Sequence, residues 1–208
     1  LENYAQVVET KDNKTGRKRA IQIYPRYHQL DVVRKLLADA RQNGAGRRYL
    51  IQHSAGSGKS NSIAWVAHQL IVLRRNDQLV FDSIIVVTDR IILDRQIRDT
   101  IKQYAQVSAT VGHADRSGDL RRFVEGGKKI IITTVQKFPF ILDEIGSDHR
   151  GRRFAIIIDE AHSGQGGRTT AKMHMALSEH GEEVPEETFE DKINRIMESR
   201  KMLPNASY

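Results

Sequence analysis

Short runs of apolar residues recur along the chain and alternate with stretches that have a helical hydrophobic pattern. Four of these runs have the length of a single buried strand: residues 49–52, 83–88, 129–134 and 154–158. The last run has no polar alternation, which is typical of a strand covered on both faces in a parallel sheet. Strands that alternate with helices indicate an α/β fold. The pattern therefore predicts a central, mostly parallel sheet flanked by helices.

The stretches between the apolar runs predict the helices. An amphipathic helix opens at residues 25–29 and carries Leu30, Val33 and Leu37 on one face. Residues 61–74 are rich in Ile, Ala, Trp, Val and Leu and indicate a mostly buried helix. Three further features are predicted: a helix that ends near residue 103, a loop at residues 112–118 and a short helix at residues 120–125.

The length of the chain, 208 residues, is sufficient for one core and one domain. Residues 1–24, in which short β-like runs flank a polar turn, are interpreted as an N-terminal lead-in segment or linker. Residues 25–208 are interpreted as the globular lobe. Within this lobe, residues 179–191 contain seven acidic residues, one Pro and no Lys or Arg, so we predict an exposed acidic loop or insertion.

Composition limits the class of protein. Apolar residues make up 39% of the chain and charged residues 28%, as in a soluble globular protein. No apolar run approaches the length that spans a membrane, so no membrane partner is expected. The absence of Cys fits a reducing compartment, and we expect a cytoplasmic location.

The charge is distributed unevenly. The net charge is +7, and because residues 179–191 carry −7, the remainder of the chain carries +14. A basic remainder indicates a polyanionic partner. Three basic pairs, at residues 47–48, 128–129 and 152–153, each precede an apolar run. They are interpreted as solvated charge. Each pair precedes its strand, and in a parallel sheet this places the pairs at the edge opposite the carboxyl ends of the strands, where ligands bind.

A glycine-rich loop separates the first apolar run from the helix that follows. Residues 53–60 read His-Ser-Ala-Gly-Ser-Gly-Lys-Ser, in the strand–loop–helix context of a phosphate-binding loop. Glycines let backbone amides approach phosphate oxygens, and a helix N-terminus adds unpaired N–H donors. Lys59 is predicted to reach the β and γ phosphates, and Ser60 to bind Mg²⁺. The predicted nucleotide-binding residues of the loop are Gly56, Ser57, Gly58, Lys59 and Ser60.

His53 departs from this motif, because the pattern G-x-x-x-x-G-K-S/T has Gly at that position. Taken alone, the loop could be an ordinary Gly-Ser loop before a helix. Asp159 and Glu160 argue against this, because they directly follow the apolar run at residues 154–158. Ligands of open α/β sheets bind beyond the carboxyl ends of strands. Two acids that cap a strand at the surface are common, but their pairing with the glycine loop favours a site for a nucleoside triphosphate, ATP above all.

The predicted catalytic residues are Lys59, Asp159, Glu160 and His162. Asp159 is placed to hold the Mg²⁺ that Ser60 also binds, and Glu160 to orient or deprotonate the attacking water. His162 is interpreted as a polar coupler near the γ-phosphate, with ordinary solvent exposure as the alternative. Zinc is not predicted, because the eight His are scattered and neither Cys nor an H-E-x-x-H spacing occurs. The other His are interpreted as ordinary.

Five sequence elements follow one another in a fixed order. They are Arg26-Tyr27-x-Gln29, the glycine loop ending at Ser60, Thr88-Asp89-Arg90 with Gln96, Thr133-Thr134-x-Gln136-Lys137-Phe138, and Asp159-Glu160-Ala161-His162. This series resembles the first RecA-like lobe of superfamily 2 helicases and translocases. The particular residues in these motifs, which extend over nearly the whole chain, look like those of the motor (R) subunit of type I restriction enzymes. In that family a residue other than Gly is tolerated at the position of His53.

The resemblance implies roles for residues outside the glycine loop. Gln29, with Arg26 nearby, would read the adenine edge, because an amide side chain offers both a donor and an acceptor. The residues implied to contact the nucleic-acid backbone are Thr88, Arg90, Thr133, Gln136 and Lys137. Such contacts position DNA without reading its sequence. Strand-end capping or turn formation is the structural alternative for each of them.

The resemblance also implies further parts and partners. A motor of this class acts on double-stranded DNA and has a second RecA-like lobe, which supplies an arginine finger. A type I motor chain also carries a nuclease domain and works with methylation and specificity subunits. The family's next motif, a strand in the middle of the sheet, is expected after residue 208. We therefore expect an incomplete lobe, an excerpt of a longer polypeptide that is weakly active or inactive alone.

The predicted function is the ATP-binding and ATP-hydrolysing lobe of a double-stranded DNA translocase in a type I restriction endonuclease complex, with ATP and Mg²⁺ as cofactors. One alternative is another superfamily 2 DNA helicase or repair translocase. A second alternative is a non-hydrolysing, nucleotide-dependent DNA-binding scaffold. The presence of Lys59, Ser60, Asp159 and Glu160 argues against the scaffold, because a degenerate motor usually loses one of these residues.

Overall fold

The computed structural model of the chain describes residues 4–11, 16, 18–54, 56–88, 100–101, 111–114, 118–134, 137–138, 141–142, 145, 149–159, 203 and 205–208. The strands are β1 (Gln6–Lys11), β2 (Lys18–Ile23), β3 (Arg74–Arg75), β4 (Gln78–Leu79), β5 (Ser83–Thr88), β6 (Val111–His113), β7 (Ile130–Thr134), β8 (Phe154–Ile158) and β9 (Ala206–Ser207). The helices are α1 (Tyr27–Asn43), α2 (Lys59–Leu70) and α3 (Asp119–Glu125). None of the described helices has the length and apolar character needed to cross a bilayer.

A five-stranded parallel sheet in the order β6-β7-β5-β8-β9 forms the centre of the fold. Every residue of β5 and of β7 is buried. Ile84 and Val86 pack into one hydrophobic cluster, whereas Ile85 and Val87 pack into another. Because successive side chains of a strand point to opposite faces, the sheet is covered on both sides. The predicted α/β fold with a parallel sheet flanked by helices is confirmed.

The two clusters are built from different parts of the chain. The first contains Val33 of α1 and Trp65 of α2. The second contains Val124 of α3 and Phe138. The indole N–H of Trp65, which is fully buried, donates to the carbonyl oxygen of Tyr4 at 3.1 Å and so ties the N-terminal segment to the core. Beyond Tyr4, β1 and β2 pair as an antiparallel hairpin, as the β-like runs predicted.

The helix predicted at residues 61–74 ends earlier in the structure, at Leu70. A two-residue hairpin follows, in which β3 and β4 pair antiparallel around Asn76 and Asp77. These two residues have φ angles of 50° and 61°, in the left-handed region that Asn and Asp tolerate best among residues other than Gly. Ile71 and Leu73 remain buried although they lie outside the helix. Hydrophobicity alone therefore did not mark where the helix ends.

The strand predicted at residues 49–52 does not form. Leu50 is 89% exposed and Ile51 is 43% exposed. Among the described residues, the start of this segment has a backbone partner: the N–H of Tyr208 donates to the oxygen of Arg47 at 3.0 Å, and the N–H of Tyr49 donates to the oxygen of Tyr208 at 2.8 Å. In the described part of the chain no strand lies beside Leu50 and Ile51, so their backbone has no ladder to join.

A strand occupies the position between this segment and β8, where the sequence predicted none within residues 1–208. β9 pairs in parallel with β8, with Ala206 opposite Phe154. The Ser207 hydroxyl accepts the N–H of Gly46 at 3.0 Å and so joins β9 to the segment before the glycine loop. From the sequence, the next strand of the sheet was expected after residue 208, whereas β9 lies at Ala206–Ser207. The sequence Asn-Ala-Ser-Tyr at residues 205–208 contains no apolar run that could have revealed it. The incompleteness of the lobe stays a prediction.

One edge strand was also mistaken for a loop. Val111–His113 forms β6 at the end of the sheet, within a region of which residues 112–118 were predicted to be a loop. Gly112 faces the ring of Phe123 so closely that a Cβ there would lie 2.9 Å from it. The glycine that suggested a loop is thus required by the packing of α3 against the strand.

Candidate nucleotide-binding site

The glycine-rich loop leads directly into α2, whose first residue is Lys59. Gly56 and Gly58 have φ angles of 72° and 84°, in the left-handed region that favours glycine. A Cβ at Gly58 would lie 2.7 Å from Nε2 of Gln29, so a larger residue would also displace the Gln29 amide. The first N–H groups of a helix have no partner within the helix. The helix therefore presents Lys59 and Ser60 at an end suited to a phosphate group.

Gln29 joins α1 to this loop. Its Nε2 donates to the oxygen of Ser57 at 3.1 Å and to the oxygen of Gly58 at 3.0 Å. Its Oε1 accepts the N–H of Arg26 at 2.8 Å, and the residue is only 3% exposed. Both N–H groups of the amide are therefore occupied, so donation to an adenine nitrogen requires one of these bonds to break. Recognition of adenine by Gln29 and Arg26 stays a prediction. The hydrogen bonds of Gln29 to the glycine loop were not predicted from the sequence.

Two histidines also belong to the site, although the sequence predicted no role for them beyond a motif irregularity at His53. Nε2 of His28 lies 3.3 Å from the carbonyl oxygen of Ser57. The rings of His28 and His53 pack edge to face, with centroids 5.3 Å apart and planes at 80°. Burial lowers the pKa of His53, and the nearby His28 and Lys59 lower it further. No local pattern marks such a contact, because His28 and Ser57 come from different elements.

Asp159 lies at the carboxyl edge of the central sheet. It directly follows β8, its N–H donates to the oxygen of Val87 at 2.9 Å, and it is 6% exposed. The hydrogen bonds of Tyr208 with Arg47 and Tyr49 have the parallel pattern, so the segment before the glycine loop runs in the same direction as β8. The loop and Asp159 therefore emerge from the same edge of the sheet, where ligands of open α/β sheets bind.

The three described residues that were predicted to contact DNA differ in exposure. Thr88 and Thr133 are fully buried. The Thr88 hydroxyl donates to the oxygen of Thr133 at 3.4 Å, and the Thr133 hydroxyl donates to the oxygen of Ala114 at 3.3 Å. These are the contacts of the strand-end alternative. Lys137 is partly exposed and follows β7, its N–H donating to the oxygen of Thr134 at 3.0 Å.

The remaining predicted site residues lie outside the described residues. They are Glu160, His162, Arg90 and Gln136. The acidic segment at residues 179–191 also lies outside them. Their assigned roles stay predictions.

The described residues fit a nucleotide with magnesium. A Cβ at Gly56 would enter open space, so glycine leaves the loop backbone uncovered there, and Lys59 provides a cation at the helix end. The hydroxyl of Ser60 and the carboxylate of Asp159 are oxygen ligands of the kind that Mg²⁺ prefers. The donor set thus agrees with the chemistry that the motifs predicted.

Comparison with known protein families gives a direct assignment. Residues 28–181 of the 208 match the sequence model of a family described as SWI2/SNF2 ATPase. The chain belongs to the SWI2/SNF2 ATPase family. The match begins at His28 and includes the glycine loop, the strands β5 to β8 and the Asp-Glu-Ala-His string. The chain is therefore a superfamily 2 helicase-like RecA lobe of an ATPase family.

Among solved structures, the chain is similar to the UvsW helicase from bacteriophage T4, with 15% sequence identity and a TM-score of 0.47. The alignment covers 97% of this chain and 63% of that chain. The present sequence thus spans less than two thirds of that structure. No curated protein sequence matches the chain.

Proposed function

We propose that the chain is the ATP-binding and ATP-hydrolysing lobe of a double-stranded DNA translocase that belongs to a type I restriction endonuclease complex. The observation that carries the proposal is the common edge of the sheet. The glycine loop with Lys59 and Ser60 and the residue Asp159 both follow segments that run in parallel toward this edge, in a chain of the SWI2/SNF2 ATPase family.

Each residue of the site has a distinct task in this proposal. The backbone N–H groups of Gly56, Gly58, Lys59 and Ser60 and the ammonium group of Lys59 hold the phosphates. Asp159 and Ser60 hold a Mg²⁺ ion, which neutralises charge on the phosphate oxygens when it is bound. Glu160 orients a water molecule in line with the γ-phosphorus, and His162 transmits the state of the γ-phosphate to the rest of the motor. The water gives a proton to Glu160 and bonds to the γ-phosphorus, while the bond between the γ-phosphorus and the bridging oxygen breaks, which yields ADP and phosphate.

Duplex DNA is the proposed partner of the surface at the carboxyl ends of β5 and β7, which run parallel to β8. The excess positive charge outside residues 179–191 suits a polyanion, and Lys137 is the described, partly exposed candidate for a phosphate contact. Thr88 and Thr133 would shape the ends of β5 and β7 there, since their hydroxyls are bonded within the sheet. A second RecA-like lobe would supply the arginine finger that completes the ATP site.

The proposed assignment to a type I restriction complex is supported by the residue sequences of three motifs. The strings at residues 25–29, 133–138 and 159–167 look like those of the motor subunit, and they cover three separate elements of the lobe. The proposed partners are accordingly the methylation and specificity subunits, with a nuclease domain on the motor chain itself and a cytoplasmic location.

Displacement of a triplex-forming oligonucleotide from linear duplex DNA tests this proposal. We expect ATP-dependent displacement that needs the methylation and specificity subunits of the proposed complex, and no displacement by Lys59→Ala. Displacement without those subunits would instead indicate another superfamily 2 translocase. ATP binding without turnover, unaffected by duplex DNA, would indicate the non-hydrolysing scaffold.

A further inference from the structure

The Ser57 carbonyl of the glycine loop is held from α1 by two consecutive side chains. Nε2 of His28 lies 3.3 Å from this oxygen, and Nε2 of Gln29 lies 3.1 Å from it. A carbonyl oxygen can only accept, so Nε2 of His28 must carry the hydrogen. The contact therefore fixes the tautomer of a neutral His28 ring.

The direction of this carbonyl determines where the loop's N–H groups point. In a trans peptide unit the C=O and the N–H point in opposite directions, and the described backbone has no cis peptide bond. Holding the Ser57 oxygen toward α1 thus turns the N–H of Gly58 away from α1. Gln29 acts in the same way on the next peptide unit, because it holds the oxygen of Gly58 at 3.0 Å. The N–H groups of Gly58 and Lys59 are in this way both turned to the side of the loop that faces away from α1.

His53 supports the ring of His28. It stands at the position where the phosphate-loop pattern has glycine, and its ring packs edge to face with that of His28 at 5.3 Å. Nε2 of His53 is buried and has no hydrogen-bond partner among the described residues. The contribution of His53 in this structure is therefore packing against His28 and not a hydrogen bond. A glycine there would leave that side of the His28 ring without its contact.

We propose that His28 is a positioning residue for the nucleotide phosphates, and that His53 holds it in place. His28 keeps the Ser57 carbonyl turned toward α1 and thereby keeps the Gly58 N–H available to a phosphate oxygen. The irregular His53 is then a part of the loop's support and not a defect of the motif. This inference rests on the proposed binding of ATP.

Substitutions at His28 separate hydrogen bonding from packing. His28→Phe keeps a ring against His53 but lacks the donor, whereas His28→Gln restores a donor at a similar reach. One neutral hydrogen bond corresponds to about a two- to tenfold change in a binding constant. We expect His28→Phe to raise the Kd of MgADP and the KM for ATP by about that factor with little change in kcat, and His28→Gln to recover most of the loss. Lys35→Ala, an exposed change on the same helix, is the matched control and leaves the Kd unchanged.

The role of His53 predicts coupling between the two positions. His53→Gly should raise the Kd of MgADP in the wild-type background. Its effect should be smaller when His28 is already Phe, because the hydrogen bond from His28 to the Ser57 carbonyl is then absent. Additive effects of the two changes would overturn this part of the inference.

Nitrogen-15 NMR of the histidine rings tests His28 without any variant and without nucleotide. Near neutral pH the inference requires the Nε2–H tautomer of His28. A neutral ring with the hydrogen on Nδ1, or an unchanged MgADP affinity in His28→Phe, would overturn it. Failure of the wild-type protein to bind any adenine nucleotide would overturn the proposed function instead, since the NMR result does not depend on that binding.

Discussion

Replacement of Gly58 by Ala is the perturbation whose cost the structure defines most fully. The φ angle of 84° costs a residue with a Cβ about 1–2 kcal/mol. The new Cβ would also lie 2.7 Å from Nε2 of Gln29, the mobile end of a side chain, so that the amide must move. Such movement gives up two hydrogen bonds, to Ser57 and Gly58, each of which contributes about 0.5–1.5 kcal/mol.

Gly56→Ala is the matched control within the same loop. Gly56 has a φ angle of 72°, so the conformational cost is similar, but no heavy atom lies within 4 Å of its added Cβ. Gly58→Ala should therefore cost about 1–3 kcal/mol more than Gly56→Ala, which follows from the two hydrogen bonds of Gln29. Expressed as the ratio of the ATP dissociation constants of the two variants, this difference is about five- to 150-fold.

Titration of MgATP into the purified protein by calorimetry measures this difference, and unfolding in urea checks that both variants stay folded. The difference between the two variants should shrink in a Gln29→Ala background, because the side chain that the new Cβ displaces is then absent. Equal losses of ATP affinity for Gly56→Ala and Gly58→Ala in the wild-type background would refute the reasoning.

Three further predictions concern the core, the pH dependence and the metal. Trp65→Ala should lower the free energy of unfolding by about 3–5 kcal/mol, measured in urea, because it empties a fully buried site that also binds the Tyr4 carbonyl. Burial lowers the pKa of His68 despite its hydrogen bond to Ile101, so below about pH 6.5 the unfolded state binds more protons than the folded state. The free energy of unfolding should therefore fall between pH 7.5 and 5.5, and by less in His68→Leu. Equal pH slopes for the two proteins would contradict this cause. Asp159→Asn should abolish the gain in ATP affinity on adding Mg²⁺ while affinity in EDTA persists, which the same calorimetric titration detects.

The central strands could be predicted from sequence because their environment is uniform. β5, β7 and β8 are covered on both faces, so nearly every residue is apolar and the run itself marks the strand. β6 and β9 are short strands of three and two residues, and their sequences contain Gly, His and Ser. Their position in the sheet depends on neighbours distant in sequence, which a local pattern does not contain.

The opposite error occurred at residues 49–52, where an apolar run is present but no strand forms. Tyr49 has a hydrogen-bonded neighbour in Tyr208, and its hydroxyl donates to Asp39 at 2.7 Å. Burial, together with this hydrogen bond, raises the pKa of Tyr49 to about 12. Leu50, one residue later, is 89% exposed. Apolar character thus indicated the strand, but strand formation requires a partner for the backbone as well.

The candidate site was predictable where its chemistry is local. The glycine loop and the carboxylate after β8 follow from spacing, because each motif lies on one element and its neighbouring turn. The support of the loop by His28 and Gln29 was not predictable in this way. It joins α1 to a carbonyl on another element, and any His or Gln near a helix start would look the same in sequence.

The rate of ATP hydrolysis with and without linear duplex DNA tests the central claim most directly. The account predicts magnesium-dependent turnover by the protein, stimulated by duplex DNA. It also predicts loss of that turnover in Lys59→Ala, because Lys59 at the start of α2 is proposed to reach the phosphates. Wild-type turnover that DNA does not change, or turnover that Lys59→Ala retains in full, would contradict the claim that this lobe hydrolyses ATP to act on DNA.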